Sequence, residues 1–234
     1  MQITIQDIPV EIERKLIRSM HLYIYPPDGR VHLNIPFFVR EEEARTFLLK
    51  KWEWICRNRE KVQSRARQTP REYVSGESHY LFGTRYELLV EPVTSGANTV
   101  TVEGDRIVMR CRPSATRDNR KAQLYEWYRG QLRTVLTGLV DKWTALLDEP
   151  GVEWTIRLMR SEWGSCTARK RRMVFNLDLA RVPVECIEYI VVHELTHLAV
   201  QNHGPAFKEL MTRRLPEWKA LRRQLNDFVT KTFA

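Results

Sequence analysis

The sequence predicts an α+β protein: a β-rich N-terminal domain with one helix over residues 1–117, then a compact C-terminal domain of helices and strands over residues 118–234. Three observations carry that reading. Short runs of β-branched and aromatic residues, punctuated by Gly, Pro, Asn and Asp, dominate the chain up to Arg110. From Asp118 onward an apolar repeat every three or four residues takes over. At 234 residues and 43% hydrophobic, the chain can bury one large core or two smaller ones.

In order, His21–Tyr25 is extended and Pro26-Pro27-Asp28-Gly29 is a turn. Val31–Ile35 alternates with period two, so the three make a β-hairpin. Glu41-Glu42-Glu43 opens a helix to about Gln63, with acids at its start and Arg57, Arg59 and Lys61 at its end. Residues 68–79 read as a loop. Strands follow at Tyr80–Phe82 continuing to Tyr86–Val90, at Thr99–Val102 and at Arg106–Arg110, with Ser95–Asn98 and Glu103-Gly104-Asp105 as turns. Asp118 or Asn119 caps a long helix to about Leu147, whose stripe runs through Leu124, Tyr128, Leu132, Leu136 and Trp143. Trp154–Met159 reads as a strand, Arg169–Arg172 as a basic turn, and Met173–Leu177 as the strand returning from it. Pro183 at a helix N1 position introduces an eighteen-residue apolar helix, and Pro205–Arg213 and Glu217–Val229 close the chain as helices. No internal repeat or low-complexity tract is visible.

Composition excludes several classes. No stretch reaches the roughly 20 apolar residues of a membrane span, and Met1–Val10 lacks the basic and apolar blocks of a secretory signal. Cys56, Cys111, Cys166 and Cys186 form no C-x-x-C pair, which argues against a disulfide framework or a thiolate zinc ribbon and for a cytoplasmic setting. A formal charge of +9 favours acidic partners such as DNA. The basic runs Arg57–Arg71 and Arg169–Arg172 lack interleaved aromatics, however, and read first as solvated surface. Oligomeric state is not legible.

The chemistry concentrates in His193-Glu194-Leu195-Thr196-His197, a His-Glu-x-x-His motif. On a helix the two imidazoles lie about 40° and 6 Å apart and can reach one Zn²⁺, while Glu194, about 100° round, can touch a zinc-bound water without ligating. His203 would sit about 9 Å further along a continuous helix. It joins the site only if the chain turns back, and Asn202, Gly204 and Pro205 are residues that end a helix. Glu209 and Glu217 are alternative third ligands, and Cys166 could close a purely structural His₃Cys site. Three histidines and an open position suit a peptidase: zinc acidifies water, Glu194 takes its proton, and the scissile carbonyl is polarised. Val200 stands where metzincins carry a glycine, so that class is not indicated. The rival reading is a non-catalytic nucleic-acid-binding or interaction protein whose zinc is structural.

Around this motif the chain carries Trp163-Gly164-Ser165-Cys166, Asn176-Leu177, Leu179, Pro183, Tyr189–Leu198, Asn202-His203, Phe207 and Pro216, and earlier Pro27-Asp28-Gly29, Trp54-Ile55 and Tyr80-Leu81-Phe82-Gly83 with Tyr86. In these residues it resembles the YgjP-like metallopeptidases, relatives of the SprT and WLM zinc proteases. The resemblance implies a zincin-like domain with His193, His197 and His203 as zinc ligands, Glu194 as base and a protein or peptide substrate. It also raises the expectation of nucleic-acid-associated substrates. Glu162 stands where the family has arginine and Lys208 where it has tryptophan; Arg160 is a candidate substitute for the arginine. Trp163, Gly164 and Ser165 read either as a substrate-binding strand beside the cleft or as a tight turn with a core tryptophan.

Overall fold

The computed structural model describes residues 2–25, 28–64, 71–159 and 162–232. It divides into two compact units, residues 1–69 and 70–233. The division therefore falls well before the boundary expected near Arg117. The reason is the long helix that starts there: its stripe of Leu124, Tyr128, Leu132, Leu136 and Val140 shares one core with Leu88, Ile107 and Met109 from the preceding strands and with Ile187, Val191 and Leu195 from the motif helix. A helix so buried on its sheet cannot begin a separate domain.

The first unit is a four-stranded sheet with helices. Strands β1 (Gln2–Ile5), β2 (Ile8–Lys15), β3 (His21–Tyr25) and β4 (Arg30–Pro36) are ordered β1-β2-β4-β3. The expected hairpin is β3 with β4, Tyr25 opposite Arg30 and His21 opposite Asn34; Pro26 and Pro27 of its turn lie outside the described residues. One helix was expected next, and two are found, α1 (Glu41–Lys50) and α2 (Trp52–Ser64). Between them the Lys51 amide is shared by the Phe47 and Leu48 carbonyls, both at 3.1 Å, a local tightening that no glycine or proline announces. Alternate sheet residues Ile3, Ile5, Val10, Ile12, Val31, Leu33 and Ile35 pack against Ala44, Leu48 and Ile55.

The second unit opens with the same design. Strands β5 (Ser78–Leu81), β6 (Thr84–Pro92), β7 (Thr99–Glu103) and β8 (Arg106–Cys111) are ordered β5-β6-β8-β7, with β6 and β8 parallel as β2 and β4 are. Both first hairpins turn on two positive-φ residues, Gln6-Asp7 and Phe82-Gly83. Buried Ile5, Ile12, Val31, Leu33 and Leu48 each have a buried counterpart 76 residues on, at Leu81, Leu88, Ile107, Met109 and Leu124 (81 − 5 and 124 − 48 give the same offset). The expectation of no internal repeat is corrected: the repeat lies in topology and burial.

Helix α3 (Arg117–Leu146) is capped by Thr116 rather than Asp118 or Asn119; Asn119 completes the box from inside, accepting from the Thr116 amide at 3.0 Å. Strands β9 (Glu153–Arg157), β10 (Gly164–Thr167) and β11 (Arg172–Asn176) follow. The strand expected to return from the basic turn is β11. Strand β11 returns antiparallel from β10 and runs parallel to β9, leaving β10 at the sheet edge. Then come a 3-10 turn at Leu177–Arg181, α4 (Val184–Thr196), α5 (Pro205–Arg214) and α6 (Trp218–Thr232). None of the described helices is long and apolar enough to cross a membrane.

Candidate metal centre

Helix α4 is held at its start by the β5–β6 turn. The Phe82 and Gly83 amides donate to the Ala180 and Arg181 carbonyls at 2.9 and 3.0 Å, and Gly83 sits close against Pro183, the residue before the helix. Arg181 is inserted among Asp178, Tyr125 and Tyr128, with a 3.1 Å ion pair to Asp178. Along α4, Ile187, Ile190, Val191, Val192 and Leu195 are buried, so His193 and Glu194 are delivered from a fixed core element.

The helix is shorter than its apolar run implied, because it stops at Thr196 and His197 is the cap. Thr196 donates to the Val192 carbonyl at 2.7 Å and accepts from Arg214 at 3.2 Å, tying this end to α5. The chain then turns through Asn202 to Gly204 and re-enters a helix at Pro205. That reversal brings His203 back to the first two histidines.

His193 Nε2 lies 3.2 Å from His197 Nε2 and 3.0 Å from His203 Nε2. About 3.3 Å separates two nitrogens that each lie about 2.0–2.1 Å from one tetrahedral ion, so the donor set fits a metal of zinc's size. His197 Nδ1 donates to the Val200 carbonyl at 3.1 Å, which leaves its Nε2 as a lone pair. His193 Nδ1 is buried without a partner among the described residues. Burial, and then the neighbouring His197 and His203, push the His193 imidazole down to about 3; His197 is lowered by burial too. Both rings are thereby held neutral, as ligation requires. Phe207, which the sequence marks only through the family resemblance, has its ring centroid 4.9, 4.7 and 4.8 Å from those of His193, His197 and His203 and backs all three.

Glu194 is 4% exposed, and its Oε2 has no partner among the described residues. Burial, then the nearby Glu162, pushes its carboxyl up to about 8. A lone carboxyl so placed is costly unless a cation or a water completes it. Its surroundings are a cleft of about 820 Å³. It is lined by Trp163 and, from β10, Gly164 and Ser165, by Tyr189 and the three histidines, and by Arg222 and Asn226 of α6. Asn176 builds the β10 rim of the cleft: its amide accepts from Met159 and donates to the Met159 and Glu162 carbonyls, at 3.2, 3.1 and 2.8 Å.

Other sequence candidates fall elsewhere. Cys166 lines the cleft but is not part of the three-histidine cluster, and Glu209 is occupied at the surface by Arg213 at 3.0 Å. The structure gives Glu217 no place in the cluster either. Arg160, Arg65 and Arg67 lie outside the described residues. Of the basic turn, Arg171 and Arg172 pair with Glu149 and Glu153, both at 2.8 Å, while Arg169 lines the cleft.

The family model of the YgjP-like metallopeptidase domain matches residues 20–228. The chain belongs to the YgjP-like family. As a YgjP-like protein it is a metallopeptidase-domain protein, and its three-histidine cluster is where a divalent metal can be held. No curated protein matches it. Among solved structures it is similar to the metallopeptidase zymogen abylysin of Pyrococcus abyssi, at 17% identity over 41% of this chain and 93% of that one, with a TM-score of 0.37. It is also similar to the zymogen jannalysin of Methanocaldococcus jannaschii, at 19% identity over 39% and 87%, with a TM-score of 0.35. At such scores neither likeness extends to this chain's own chemistry.

Proposed function

We propose that this YgjP-like protein is a zinc-dependent peptidase in which His193, His197 and His203 hold the metal and Glu194 is the general base. The observation that carries the reading is the buried Glu194 carboxyl, placed beside three converging imidazoles and open to a cleft. A structural metal would need the histidines but would have no use for that carboxylate. Bound zinc supplies Lewis acidity, making water acidic and the scissile carbonyl electrophilic. Glu194 accepts the proton of the attacking water and returns it to the leaving amine. Its raised affinity for protons suits the second task; a neighbouring cation favours the ionised form needed for the first.

Among the described residues strand β10 is paired on one side only, by β11, and its residues line the cleft. An extended substrate can add to its free edge through main-chain hydrogen bonds, which makes Trp163, Gly164 and Ser165 the proposed substrate wall. The four cysteines are unpaired, which supports a reducing cytoplasmic setting. The charge of +9, with Arg169 and Arg222 in the cleft, supports protein substrates associated with nucleic acid. DNA binding that weakens steeply with salt is expected; no binding at low salt removes that part of the proposal.

Zinc content measured beside hydrolysis of an unfolded protein tests the whole reading. One zinc per chain, loss of activity on chelation and recovery on zinc return are expected. Full activity in the metal-free protein contradicts it.

A further inference from the structure

Gly164 begins β10, the strand that packs over α4. A Cβ built on it would stand 2.7 Å from Glu194 Oε1, 2.9 Å from Cγ and 3.0 Å from Cδ. Real Cβ atoms essentially never come so near. Because the obstruction begins at Cγ, turning the end of the glutamate would not relieve it; the whole side chain would have to leave its rotamer. With Ile190, Val191, Val192 and Leu195 buried around it on α4, Glu194 could yield only toward the cleft it lines, away from its present place.

The backbone does not explain this glycine. Gly164 lies outside the left-handed region, unlike Gly83 at φ +85, so an L-residue could adopt its conformation without strain. The three nearest atoms that an added methyl meets all belong to Glu194. The position excludes a side chain through volume, and that volume is the candidate base.

We propose that Gly164 is a positioning residue for Glu194: by presenting bare backbone, the rim strand closes onto the carboxylate and fixes its rotamer relative to His193, His197 and His203. The catalytic consequence rests on the peptidase reading above; the steric coupling does not. Gly164 thus acts through Glu194, in addition to any main-chain contact it offers a substrate.

A double-mutant cycle separates the two. Gly164→Ala is compared in the wild-type and Glu194→Ala backgrounds, each at matched zinc content, by denaturant midpoint. A loss of stability with Glu194 present, largely abolished by Glu194→Ala, is expected; failure of Gly164→Ala to fold alone, with recovery in the double variant, has the same meaning. An equal loss in both backgrounds overturns the proposal whatever the protein's activity. For the folded Gly164→Ala protein, kcat falls about 100-fold, the scale of a 1 Å misplacement, while KM changes little because the β10 main chain is retained. An unchanged kcat also overturns it. Wild-type protein that loads zinc and shows the coupling but hydrolyses nothing would instead count against the peptidase reading.

Discussion

His79 and His203 sit at opposite extremes of burial, and their variants should fail in opposite ways. His79 is 1% exposed and its imidazole is pushed down to about 4, first by burial and then by Arg71. Between its unfolded value near 6.5 and about 4, the unfolded chain binds the proton that the folded one refuses. Its contribution is therefore complete above about 6.5 and lost as pH falls through 4, on the order of 3 kcal/mol. His79→Phe should flatten the acid limb of a stability-versus-pH curve measured by denaturation; an unchanged limb contradicts the assignment. His203 is exposed and packs mainly against the site. His203→Ala should change stability of the metal-free protein by no more than about 0.5 kcal/mol, yet weaken zinc binding by more than about 100-fold in a chelator competition. The clustered histidines and the carboxyl proposed as base stand out in the sequence because ligand chemistry is written in residue type and spacing. Phe207 and Asn176 gave no chemical signal of their own, since their roles as a backing ring and a rim tie arise only from long-range packing.

At the scale of elements, the β5–β6 turn packs against the start of the helix that carries His193 and Glu194. Gly83 has φ +85, and a Cβ there would lie 2.8 Å from the Pro183 ring. Gly83→Ala combines left-handed strain with overpacking, each worth about 1–3 kcal/mol. A stability loss of about 2–6 kcal/mol is expected together with weaker zinc binding, because Pro183 sets the start of α4. Normal zinc affinity in a destabilised variant would show that the turn supports only the fold. Local patterning revealed the β3–β4 hairpin through its period of two and α4 through the length of its apolar run. It did not reveal that α4 stops at Thr196, where the Thr196 hydroxyl turns back onto Val192 and Arg214. Nor could it show β9 pairing in parallel with β11, since a crossover partner leaves no mark in the strand's own residues.

At the scale of the molecule, the two units place one sheet topology in two settings. The second copy carries α3 and, through it, the candidate metal centre; the first has its own smaller core. The repeat escaped the sequence because burial preserves class and not identity: Ile5 answers to Leu81 and Leu33 to Met109. The domain boundary escaped for a related reason. A boundary near Arg117 coincides with the start of the long helix, but that start only joins a sheet to the helix that covers it. Residues 70–234 should therefore fold cooperatively and load zinc, whereas residues 118–234, stripped of β5–β8, should not. Calorimetry of the two fragments decides, and a cooperative transition in the shorter one would restore the boundary near Arg117.

The central claim, that a metal held by three histidines works with one buried carboxylate, meets its most direct measurement in Glu194→Gln. The amide keeps the shape and removes the base, so zinc stoichiometry and unfolding midpoint should stay close to wild type or rise slightly. Peptide hydrolysis at matched zinc should fall by about 100- to 10,000-fold. Wild-type turnover in that variant would contradict the account.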